Sequence, residues 1–123
     1  MPVSQIVTYV LIALILFYAI KRVLLVRSVT QYSVPEARSK VKGLNTVLVD
    51  VRTAAERKDG FIKGSIHVPL HEIKTSGELN KLKGKEIICY CRSGSRSISA
   101  ASILKKKGFN AGSLLGGYRA WNH

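Results

Sequence analysis

The chain has 123 residues, which allows one compact domain once an apolar N-terminal stretch is set aside. Its 20 lysines and arginines against 7 acidic residues leave a formal charge of +13, which calls for an anionic partner or surface. Two cysteines separated by one residue, Cys89 and Cys91, exclude an ordinary disulfide framework and suit a reducing compartment or a catalytic thiol.

Residues 3–20 carry no charged side chain. At ~1.5 Å per residue a helix of that length nearly crosses a hydrocarbon layer of ~30 Å. Residues 23–26 extend the bilayer segment to 3–26 if Lys21 and Arg22 reach for the head groups. A cleaved signal peptide is the competing reading. Against it, no basic residue opens the segment, and no small-residue cleavage pattern precedes Lys21. A buried core helix is weaker still, because the later residues supply a full set of elements of their own. The expected division is a transmembrane anchor over 1–27, a connector over 28–32 and a domain over 33–123. Lys21, Arg22 and Arg27 follow the span closely, whereas only the amino terminus precedes it. The positive-inside tendency therefore predicts a single-pass membrane protein with its domain on the cytoplasmic side, beside anionic lipid.

Ser33 and Glu36 have capping-box spacing and predict a brief helix over 36–42, ended by Gly43. Residues 46–51 are apolar and β-branched without polar alternation, which predicts a central strand covered on both faces. Asp50 and Arg52 fall at its C-terminal end, where open parallel sheets place ligand sites. Thr53 and Glu56 repeat the capping-box spacing. Glu56 either caps its helix or serves the site, and Asp50 either pairs with Arg52 or takes part in chemistry. A supporting role is favoured for all three. Residues 65–69 predict a short strand stopped by Pro69. Neither His67 within it nor His71 beyond has partners at metal-ligand spacing, so no metal is expected. A short helical turn through Lys83 follows, closed by Gly84.

Residues 87–90 read as a buried strand, and residues 97–107 as a helix of small residues. Between them lie Cys91, Arg92, Ser93, Gly94, Ser95 and Arg96. A strand feeding a tight loop into a helix N-terminus makes a pocket of inward N–H groups that suits an anion. A thiol at its lip, with arginines on either side, is expected to have a depressed pKa and to be nucleophilic. A buried structural cysteine is the alternative, and the company of glycine, serines and arginine weighs against it. Cys89 shares a face with Cys91 if the strand is regular. A packed small residue is favoured there over a resolving thiol. Lys105 to Lys107 suit a basic helix C-terminus. No aromatic residues interleave with them, so nucleic acid is not an expected partner. Leu114 and Leu115 predict a last short strand, and Gly116 with Gly117 permits close backbone approach. Residues 118–121 predict a turn of helix burying Trp121, while Arg119 either reaches the pocket or faces water.

The loop from Cys91 to Arg96 resembles the active-site loop of the rhodanese family, Cys-x-x-Gly-x-Arg. Asp50-Val51-Arg52 with Glu56, residues 60–69, and Gly116-Gly117 with Ala120-Trp121 are similar to three further segments of that family, in the same order. At Phe61 the family more often has histidine. The resemblance spans about residues 31–122 and implies a three-layer α/β domain with a central, mostly parallel five-stranded sheet, here preceded by one transmembrane helix. It also implies a sulfurtransferase without a cofactor, moving a sulfane sulfur from thiosulfate, a polysulfide or a small persulfide to a thiol or protein acceptor. Cys91 would carry the sulfur as a persulfide, residues 92–96 would bind substrate, and Asp50, Arg52 and Glu56 would support the site. Arg96 is expected to brace the loop through its carbonyls. Two rival readings stand beside this one. A related phosphatase or arsenate reductase would need one more residue between cysteine and arginine, and a general acid in the loop. A docking or regulatory module on the membrane would need no catalysis at all.

Overall fold

The computed structural model describes residues 1–122. Helix α1 (Val3–Ser28) has a mean hydropathy of 2.3 over its most apolar window and no buried residue. It is long and apolar enough to cross a membrane. Then follow β1 (Gln31–Tyr32), α2 (Val34–Val41), β2 (Thr46–Asp50), α3 (Ala54–Lys58) and β3 (Ile66–His67). Two 3₁₀ segments, Leu70–Glu72 and Gly77–Leu82, lead to β4 (Glu86–Tyr90), α4 (Ser95–Lys106), β5 (Asn110–Leu114) and α5 (Gly117–Trp121).

The five strands are all parallel, in the order β1-β5-β4-β2-β3. Parallel neighbours need crossovers, and these cover both faces of the sheet. Successive residues of β4 therefore enter different cores. Ile87 and Cys89 face one, which also holds Val49, Ile98, Ala101 and Leu104. Ile88 and Tyr90 face the other, with Ala37, Leu48, Ile62 and Leu114. This explains the unbroken apolar runs of β2 and β4. Every strand ends toward the same edge, so the Cys91 loop after β4 and Asp50 at the end of β2 come together.

Four expectations change. Gln31 and Tyr32, read as connector, form the fifth strand against Ser113 and Leu114. The last strand is β5, starting at Asn110 rather than Leu114. Its Ala-Gly-Ser centre hides the pattern because Gly112 lies under the Tyr32 ring, where a Cβ would also stand 2.8 Å from the Thr30 carbonyl oxygen. Leu25 and Val26, read as part of the span, are half-buried against the first core. Trp121 is also only partly buried, with the Arg38 guanidinium 4.2 Å above its ring.

Candidate functional site

Two glycines shape the loop that follows β4. Gly94 has φ +112° and is the residue before α4, so the chain turns from strand to helix within four residues. That turn aims the Gly94 N–H at Cys91 Sγ, 3.1 Å away. Gly117 has φ +63°, and a Cβ there would come within 2.5 Å of the Cys91 carbonyl oxygen. Its absence lets α5 close the back of the loop: Tyr118 N–H donates to Cys91 O at 2.8 Å and Arg119 N–H to Arg92 O at 3.1 Å. The expected close approach at the paired glycines is this contact.

Cys91 is almost completely buried, while Arg92, Ser93 and Ser95 around it are exposed. Burial pushes the thiol up, but hydrogen bonds from the Ser97 hydroxyl and from the Ser97, Gly94 and Ser93 N–H groups outweigh it and hold the thiol below its ordinary value. The neutral thiol donates to Ser97 Oγ at 3.5 Å, while that hydroxyl donates to Gly94 O at 3.1 Å and sits 2.7 Å from Ser113 Oγ on β5; once the sulfur is ionised, the one Ser97 proton can turn to it instead. Cys89, two residues earlier, has no such donor among the described residues. Burial first, and the nearby Cys91 charge second, push it up to about 12. The two cysteines face the same core and differ in chemistry.

Arg96 does not brace the loop carbonyls as expected. Its guanidinium pairs with both oxygens of Glu56, at 2.6 and 2.8 Å. Glu56 also completes a reciprocal cap with Thr53, each backbone N–H donating to the other's side chain at 3.2 Å. Glu56 thus caps its own helix and at the same time holds Arg96. Arg96 foremost, against a smaller opposing effect of burial, lowers its carboxyl to about 2. This ion pair ties α3 to the first turn of α4.

Asp50 and Arg52 form a buried pair behind the site. Arg52 Nε and Nη2 reach the two carboxylate oxygens at 3.0 and 2.9 Å, and Arg57 adds a contact at 3.2 Å. Burial works against the Asp50 charge, and these arginines overcome it to lower the carboxyl. Arg52 also donates to Gly60 O at 2.6 Å and stacks 4.4 Å from the Tyr118 ring. The arrangement fixes the strand end and the loop beyond it; neither group touches the sulfur. A cavity of about 370 Å³ opens beside it, lined by Val51, Arg52, Thr53, Pro69, Leu70, His71 and Arg96.

Ser97 and Ser113 escaped the sequence reading. Ser97 lies only one residue past the loop, but nothing local shows a serine hydroxyl turned inward. Ser113 joins it only through strand pairing. Chemically, the loop can stabilise a sulfur anion and hold it beside an exposed, basic opening.

Residues 33–123 match the family model described as "Rhodanese-like domain". The chain is similar to a sulfurtransferase of Allochromatium vinosum, 35% identical over 79 residues, covering 63% of this chain and 72% of that protein. It is also similar to the human thiosulfate:glutathione sulfurtransferase, 28% identical over 103 residues, covering 72% and 90% respectively. Among solved structures, a rhodanese-like domain protein from Staphylococcus aureus superposes with a TM-score of 0.67 at 28% identity, covering 75% of this chain and 90% of that one.

Proposed function

This chain belongs to the rhodanese-like family, and from that premise we propose that it transfers a sulfane sulfur through Cys91. The observation that carries the reading is a buried thiol whose anion is favoured by the Gly94 N–H and the Ser97 hydroxyl. The Cys91 thiolate attacks the outer sulfur of the donor. The sulfur–sulfur bond of thiosulfate breaks, sulfite leaves with the electron pair, and Cys91 becomes a persulfide anion. With a small persulfide as donor, the corresponding thiolate leaves instead. An acceptor thiolate then attacks the terminal sulfur. It departs as its own persulfide, and the Cys91 thiolate returns without net oxidation or reduction.

Residues 92–96 enclose the transferred sulfur, and exposed Arg92 draws an anionic donor to the opening. Asp50, Arg52 and Glu56 act from behind by fixing the walls. A bilayer holds the apolar part of α1, residues 3–20, while the last turns of α1 pack on the domain, which takes in β1 as well as residues 33–123 and lies on the cytoplasmic side. The basic residues after the apolar span support that orientation.

The test uses the full chain in detergent micelles. Incubation with excess thiosulfate is expected to add one sulfur atom to the intact mass, removable by cyanide or a small thiol. Cys91→Ser abolishes both the gain and the turnover. A mass gain retained in that variant would overturn the assignment. In sealed membranes, labelling of an introduced surface cysteine from the cytoplasmic side only would support the orientation, and labelling from the opposite side would reverse it.

A further inference from the structure

Arg22 was expected among lipid head groups. In the structure it turns toward the domain. Its Nη2 donates to Ser95 O at 3.1 Å and to Ser95 Oγ at 3.0 Å, and its Nη1 donates to Ser99 Oγ at 3.3 Å. Ser95 and Ser99 are four residues apart on α4 and so lie on one face, which the two amino groups of a planar guanidinium span together. The contact is not an isolated tether. Leu25 and Val26, one turn farther along α1, rest against the first core, and Lys105 Nζ donates to Ser28 O at 2.7 Å. The last turns of α1 and the length of α4 therefore lie side by side, with the first turn of α4 level with Arg22.

The position of the clamp matters for chemistry. Ser95 follows Gly94, whose N–H points at the sulfur, and it opens the helix that carries Ser97. A donor that fixes the Ser95 carbonyl and hydroxyl also fixes the Ser95–Arg96 peptide, which adjoins the Arg96–Ser97 peptide whose N–H faces Cys91. Arg96 holds the same turn from the α3 side through Glu56. Arg22 lies outside residues 33–123, the stretch matched by the family model. The second hold is thus supplied by the apolar helix.

We propose that Arg22 is a positioning residue for Cys91, through which the N-terminal helix sets the first turn of α4 and the donors facing the sulfur. The inference rests on Cys91 being the nucleophile. It makes the membrane segment a part of the site, not only a tether.

The experiment compares the full-length protein with Arg22→Ala, Arg22→Lys, Ser99→Ala and Arg27→Ala, all in the same detergent. The first readout is the rate of Cys91 alkylation against pH, located by mass spectrometry. The second is kcat/KM with thiosulfate. Arg22→Ala is expected to move the alkylation midpoint upward and lower kcat/KM about fivefold, as loss of a charge-assisted contact implies. Arg22→Lys restores little, because an ammonium lacks the fork that spans two serines. Ser99→Ala shows a smaller shift in the same direction. Arg27→Ala removes an exposed charge from the same helix and changes neither readout. An unmoved midpoint in Arg22→Ala, or full rescue by lysine, overturns the proposal. Alkylation needs no sulfur donor. A wild type that alkylates readily yet never gains sulfur therefore refutes the sulfur-transfer reading and leaves the Arg22 comparison intact.

Discussion

Replacing Ser97 by alanine tests how far the hydrogen-bond donors of the loop hold the Cys91 thiol down. The serine is buried, and its hydroxyl stands 3.5 Å from the sulfur, 3.1 Å from Gly94 O and 2.7 Å from Ser113 Oγ. A hydrogen bond to a charged group contributes ~1.5–3 kcal/mol, and a contact of this length belongs at the lower end. Losing that much stabilisation of the anion raises the alkylation midpoint. Below the thiol's pKa, the thiolate fraction and hence kcat/KM would fall about tenfold. The same change leaves Gly94 O and Ser113 Oγ short of a partner and lowers stability by ~1–2 kcal/mol. The sign of the pH dependence follows from the lowered thiol. Its contribution to stability is complete above the unfolded-state value and is lost as pH falls through the folded-state value, so the variant has a flatter profile there. The assay is alkylation rate against pH, paired with denaturant unfolding at several pH values. An unchanged alkylation midpoint in a folded Ser97→Ala protein would refute the reasoning.

Three other outcomes follow. Glu56→Gln breaks the pair with Arg96; both side chains are partly exposed, so the cost is only about 1 kcal/mol in denaturant unfolding. Because the Glu56 carboxyl is lowered to about 2 from 4.5, its contribution is present above that ordinary value and disappears as pH falls toward 2. The variant should lack that part of the acid dependence. Gly117→Ala places a methyl against the Cys91 and Arg92 carbonyls at a positive φ, and is expected to cost upwards of ~2 kcal/mol and most of the turnover. Cys89→Ala should keep the one-sulfur mass gain, since a thiol raised to about 12 supplies almost no anion near neutral pH; its loss would assign Cys89 a role.

The cysteine loop and the two central strands were legible because their signals are local. Residues 47–49 and 87–90 are continuous apolar runs, as strands covered on both faces must be. Gly94 stands where a tight strand-to-helix turn needs it. What escaped notice depends on partners far along the chain. The edge strand β1 is two residues long and is defined only by pairing with β5, which itself reads as Asn-Ala-Gly-Ser. Arg96 chose Glu56, forty residues earlier, over the carbonyls beside it. Its neighbours could not reveal that choice, because a fork-shaped cation is best met by a carboxylate wherever the fold supplies one. Arg22 also found its partners far along the chain, but without a carboxylate: two serine hydroxyls and the Ser95 carbonyl.

The close contact at Gly117 also bears on how the molecule is made. The wall behind Cys91 consists of N–H groups from Tyr118 and Arg119, which leave the ribosome well after the thiol does. A nascent chain paused before that point exposes a cysteine whose loop has no backing. The Cys91 loop therefore gains its backing only when the segment after β5 folds onto it.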